Sequence, residues 1–165
     1  MKDLRPEALN LFNKEFVDVP LPMREVAIGS RLPFQTEDID KAWGVGQWHM
    51  SLTPLVGPTA IIVGEEDFMR CLPHLGSAKV AYNAKKNWVC RQYGFIFASI
   101  VSAALECNVG IICDFDGHHF YSFVPVHNNH KIKILIIEPQ SDTVVYHTDP
   151  KHHYTGDRAG FAILI

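Results

Sequence analysis

The chain has 165 residues, a length that suits a single domain spanning 1–165. It is 47% hydrophobic and 20% charged, apolar enough to bury a real core, which excludes intrinsic disorder. The formal net charge of −3 leaves no basic surplus to neutralise phosphates, so no nucleic-acid partner is expected.

Residues 1–58 read as a loop-rich, partly helical N-terminal part. A short helix is predicted over 6–17, with Leu9, Phe12 and Phe16 at helical spacing. Pro20, Pro22, Gly29, Pro33, Gly44, Gly46, Pro54 and Pro58 then break up the chain. One or two helical turns fit between Thr36, a good N-cap, and Trp43. Trp43, Trp48 and His49 fall in this stretch, where loop aromatics either line a cleft or cover the edge of the core.

Regular structure is expected from Thr59 onward. The pattern predicts a strand over 59–63 and a helix over 65–75, opened by Glu65 and Glu66 and stopped near Pro73. The strongest helix runs over 88–106. It is apolar nearly all round, with Tyr93, Phe97, Ile100, Val101 and Ala104, and should be the central buried helix. Five segments rich in Val, Ile, Phe and Tyr follow, at 109–115, 119–126, 132–138, 143–147 and 158–165, and read as strands. This order gives an α+β fold with the helices on one side of an antiparallel sheet.

The longest apolar runs, 94–100 and 134–137, fall far short of the ~20 residues of a membrane span. Residues 1–7 lack a signal-peptide pattern. A cytoplasmic protein without membrane contact is expected. Cys71, Cys90, Cys107 and Cys113 contain no CxxC pair, so they are expected as free thiols. The nine histidines include no HxxxH or HExxH spacing, and no phosphate-binding glycine motif occurs, so neither a metal nor a cofactor is assigned. Asp114-Phe115-Asp116-Gly117 is a fragment of a calcium-loop pattern without its later ligands. Lys85-Lys86, Lys131 and Lys133 read as solvated surface charges.

A hairpin brings together residues that could carry chemistry. With Asn128-Asn129 as its turn, His127 faces His130, Phe123 faces Ile134, Tyr121 faces Ile136 and His119 faces Glu138. His118 then points to the opposite face. A carboxylate beside a histidine fixes its tautomer and steadies the imidazolium, as a general base requires. The best nucleophile is Cys90, in the first turn of the long helix, where the helix dipole favours a thiolate and backbone N–H groups are free for an oxyanion. Asn83 is a candidate second oxyanion donor.

The order Cys at a helix start, Gly117-His118-His119-Phe120-Tyr121, then Ile137-Glu138-Pro139-Gln140-Ser141-Asp142 resembles that of papain-like and transglutaminase-like cysteine enzymes. The details are similar to the papain-like domain of certain fungal chimeric agglutinins and to small bacterial and phage relatives. The resemblance covers roughly residues 80–147. It implies a papain-like fold and a Cys90–His119–Glu138 triad acting on an amide or peptide bond of a peptide or protein substrate.

Each residue also has a plainer role. Cys90 fits as a small buried hydrophobe, His119 as a strand histidine bonded to a carbonyl, and Glu138 as a strand end. No Gln precedes Cys90 in 80–89, which suits a second possibility, a catalytically inactive papain-like module that binds or inhibits a host macromolecule.

Overall fold

The computed structural model describes residues 18–45, 51–75, 90–115, 118–145 and 160–165. The helix expected over 6–17 lies outside them, as do Trp48, His49, Asn83, Lys85 and Lys86.

The first described elements are α1 (Leu21–Gly29), β1 (Leu32–Gln35), α2 (Thr36–Val45) and β2 (Leu52–Pro54). α2 falls on the helical turns expected from Thr36 to Trp43, whereas α1, β1 and β2 lie where the sequence suggests loops broken by proline and glycine. The prolines mark element ends instead. Pro22 sits in the first turn of α1, where the missing N–H costs nothing. Pro33 lies in β1, which pairs with a single neighbour, and an edge strand tolerates proline.

After β3 (Thr59–Gly64) comes α3 (Glu65–Cys71), which tightens into a 3-10 turn over Leu72–His74 at Pro73. Next is α4 (Cys90–Leu105), then β4 (Gly110–Asp114), β5 (His119–Asn128), β6 (Lys131–Glu138), β7 (Thr143–Val145) and β8 (Gly160–Leu164). Residues 88–89, 146–147 and 158–159, also expected in the neighbouring elements, lie outside the description.

The strands form one eight-stranded sheet, in the order β1-β3-β5-β4-β8-β2, with β6 on the other edge of β5 and β7 beyond it. The ten-residue β5 is its axis. The first half of β5 pairs antiparallel with β4, and Val126 and His127 pair parallel with β3 along the same edge. β2 also runs parallel to β8. The sheet is therefore mixed, not antiparallel. Both parallel pairings join segments far apart in sequence, as parallel neighbours must.

The helices do not lie on one side either. Phe97, Ile100, Val101 and Ala104 of α4 pack with α1, α3 and the Ile111, Val124, Leu135 and Ile137 face of the sheet. Ile39 and Trp43 of α2 pack with the Ile112, Tyr121, Phe123 and Ile136 face. All five residues of β4 are buried. A central strand covered on both faces shows no hydrophobic alternation.

Two details fix the site. Gly110 lies under the Phe123 ring, and a Cβ there would fall 2.0 Å from a ring carbon. The β5–β6 turn is centred on Asn129 and His130, both with positive φ (48° and 64°), the geometry of a tight primed turn. Asn128 thus pairs with Lys131, and Ser122 with Ile137. The expected turn lies one residue earlier.

Candidate active site

The displaced turn changes which residues oppose each other but not which face they share. Each residue of β5 meets a partner two positions further along β6 than expected, and a slip of two leaves every side chain on its own face. His119 and Glu138 are therefore diagonal neighbours instead of direct partners. Diagonal positions lie ~7–8 Å apart, within reach of long side chains. The imidazole spans the gap: His119 Nε2–H donates to Glu138 Oε2 at 2.7 Å. The other oxygen, Oε1, accepts the Gln140 backbone N–H at 3.1 Å. The Glu138-Pro139-Gln140 corner thus closes on its own carboxylate. Tyr121 packs edge-on against the imidazole, with ring centroids 4.5 Å apart. His119 retains 24% exposure of its side chain and Glu138 10%. With Nε2 committed to Glu138, Nδ1 is the nitrogen left for proton transfer.

Cys90 reaches this end of the sheet from the other side. It heads the buried stripe of α4 that continues through Gly94, Phe97, Ala98 and Val101. One turn below Cys90, the buried Ser122 hydroxyl donates to the Gly94 carbonyl at 3.2 Å, which ties the start of α4 to β5. Cys90 Sγ contacts the backbone carbonyl of His118 at 4.0 Å. His118 has φ 50°, in the left-handed region that few non-glycine residues adopt.

These groups meet around a cleft of about 470 Å³, lined by Cys90 and Arg91, by Cys113, Asp114 and Phe115, and by His118, His119 and Phe120. It wraps the end of the sheet where β4 leaves and β5 begins. His118, His119 and Phe120 all line it, because the cleft is reached from both faces of the sheet; His118 itself precedes β5 in a turn conformation.

Of the four cysteines, Cys71, Cys107 and Cys113 are buried and Cys90 is partly exposed; all four are free. Burial pushes the Cys71 thiol up to about 11, with the nearby Asp67 adding to the effect. Burial likewise pushes Cys107 up to about 12. Cys113 is raised too, first by burial and then by the charges of Asp114 and Cys90. These three thiols are held protonated, which makes them poor nucleophiles.

No protein-family model, curated protein or solved structure matches the chain. The site must therefore be read from its own chemistry. Among the described residues, no group of three or more His, Cys, Asp or Glu side chains is placed to hold a metal ion, and no helix is long and apolar enough to cross a membrane.

The sequence points to Cys90, His119 and Glu138, and the structure joins the last two directly and sets the first on the same cleft. Asn83 lies outside the described residues. Sequence reasoning assigned no part in the site to Asp114, which is 1% exposed, pairs with His119 across β4 and β5 and lines the cleft. The signal was there: Asp114 and His119 flank a short Asp- and Gly-containing connection between two apolar strands, a hairpin pattern in which the flanking residues oppose each other.

Proposed function

We propose that this protein is a papain-like cysteine hydrolase or acyl transferase that acts on an amide or peptide bond of a peptide or protein substrate. The observation that carries the reading is the 2.7 Å bond between His119 Nε2 and Glu138 Oε2 at the margin of a cleft that also holds the partly exposed Cys90. A carboxylate on one imidazole nitrogen leaves the other basic and correctly aimed for a proton on its far side.

In this scheme Cys90 Sγ turns from the His118 carbonyl to His119 Nδ1, which takes its proton. The sulfur adds to the substrate carbonyl, and the oxyanion is met by the Cys90 backbone N–H, with Asn83 as the candidate second donor. As the tetrahedral adduct collapses, the C–N bond breaks and His119 returns the proton to the leaving amine. The thioester is then cleaved by water, giving an acid, or by an amine, giving a new amide. The scheme uses no metal or cofactor.

A second reading is a papain-like binding module without catalysis. It is favoured by the contact of Cys90 Sγ with the His118 carbonyl oxygen instead of an imidazole nitrogen. The two are separated by incubating wild-type and Cys90→Ala protein with a proteome-derived peptide mixture and reading new termini, deamidated sites and new amide links by mass spectrometry. Products made by the wild type and lost in the variant support the enzyme. An identical peptide pool from both proteins rejects it.

A further inference from the structure

Asp114 is a buried ionisable side chain that the scheme above leaves unused. It is 1% exposed and ends β4, where it is the direct ladder partner of His119 on β5. Directly opposed residues of an antiparallel pair share a face and hold their Cβ atoms ~4.5–5.5 Å apart. The parity of the neighbours agrees: Ile112 and Tyr121, paired next along the ladder, both belong to the core on the α2 side. Glu138 approaches the same imidazole from β6, on the other edge of β5. His119 thus has an acid on each neighbouring strand.

We infer that Asp114 is a second positioning carboxylate for His119, bracketing the imidazole from β4 as Glu138 does from β6. The inference deepens the proposed function and rests on it for its catalytic meaning, because His119 is the base of that scheme. Among the described residues, the other titratable or charged groups lining the cleft are Cys90 and Arg91 from α4, Cys113 from β4, and His118. Arg91 and a protonated His118 would each disfavour charge on His119, and a Cys90 thiolate would favour it. Of the two carboxylates, one is bonded to the ring and the other is buried, where charges are poorly screened. A carboxylate on each side gives the imidazolium that accompanies a Cys90 thiolate an opposite charge on both neighbouring strands.

The test is an NMR titration of the His119 ring in the full chain, for wild type, Asp114→Asn, Asp114→Ser and Asp114→Glu. This reads the imidazole directly and needs no turnover. The neutral variants should move its titration to lower pH by about one pH unit, and Asp114→Glu should restore most of it. Ser is included as a smaller neutral side chain, so that the test does not hang on the folding of the Asn variant. If either neutral variant folds and titrates like the wild type, the inference is overturned. If the titration shifts as expected while no variant, the wild type included, makes any product, Asp114 keeps its hold on His119 and it is the catalytic reading that fails.

Discussion

His119 and Glu138 do not face each other across the β5–β6 ladder; they sit diagonally, and the imidazole leans across to place Nε2 2.7 Å from Oε2. Glu138 is nearly buried, with 8% exposure, and its second oxygen is held by the Gln140 N–H. The carboxylate is thus held by a second bond independent of the imidazole, which is what an orienting group needs.

Glu138→Gln should separate orientation from architecture. The amide oxygen can still accept from Gln140, so the corner is kept. The charge that steadies the imidazolium is lost. Turnover should fall roughly a hundredfold or more, in the range of a general acid–base contribution. Stability should change by no more than about 1–3 kcal/mol. Paired measurements of kcat/KM and of denaturant unfolding check this. Global unfolding of the variant would make Glu138 a structural anchor instead.

The Gly110–Phe123 contact gives a stability prediction. A methyl group at Gly110 would meet the Phe123 ring at 2.0 Å and the Ile163 carbonyl oxygen at 2.7 Å. Gly110→Ala should cost about 1–3 kcal/mol or more by overpacking. Adding Phe123→Leu should cost less than the two single changes summed, because it removes the ring from the clash. Urea unfolding of the two single variants and the double variant measures the coupling.

Alkaline pH should expose the buried thiols. Cys71 and Cys107 have native values of about 11 and about 12, above those of thiols in an unfolded chain. Between the unfolded and native values, the native state holds protons that the unfolded state has released, so stability falls as pH rises. The contribution is fully present below about pH 8.5 and declines through about pH 11–12. Comparing wild type with Cys71→Ala/Cys107→Ala, the loss of stability between neutral and alkaline pH should be smaller in the variant. Parallel curves would show that the two thiols do not govern the decline.

Periodicity carried the strong elements. The long apolar helix, the strand run after 109 and the shared face of His119 and Glu138 are all legible in the residues, because burial imposes a period and a two-residue slip preserves it. What is local misled elsewhere. Pro22, Pro33 and Pro54 signal breaks, yet they stand in the first turn of a helix and in edge strands, where proline does little harm. Non-local pairing was invisible. Nothing near Val63 announces that it lies beside Val126, or near Leu52 that it lies beside Ala162. The place of α2 on the far face follows from that same mixed sheet.

The proposed chemistry stands on cooperation between Cys90 and His119, and site-mapped alkylation reads that cooperation most directly. Native wild-type and His119→Ala proteins are treated with iodoacetamide at about pH 6 and about pH 7, and the label on each cysteine is quantified by mass spectrometry. In the wild type Cys90 should take most of the label, with Cys71, Cys107 and Cys113 protected, and in His119→Ala its rate should drop by roughly tenfold or more. Equal labelling of Cys90 with and without the imidazole, or four equally slow thiols, would contradict the triad.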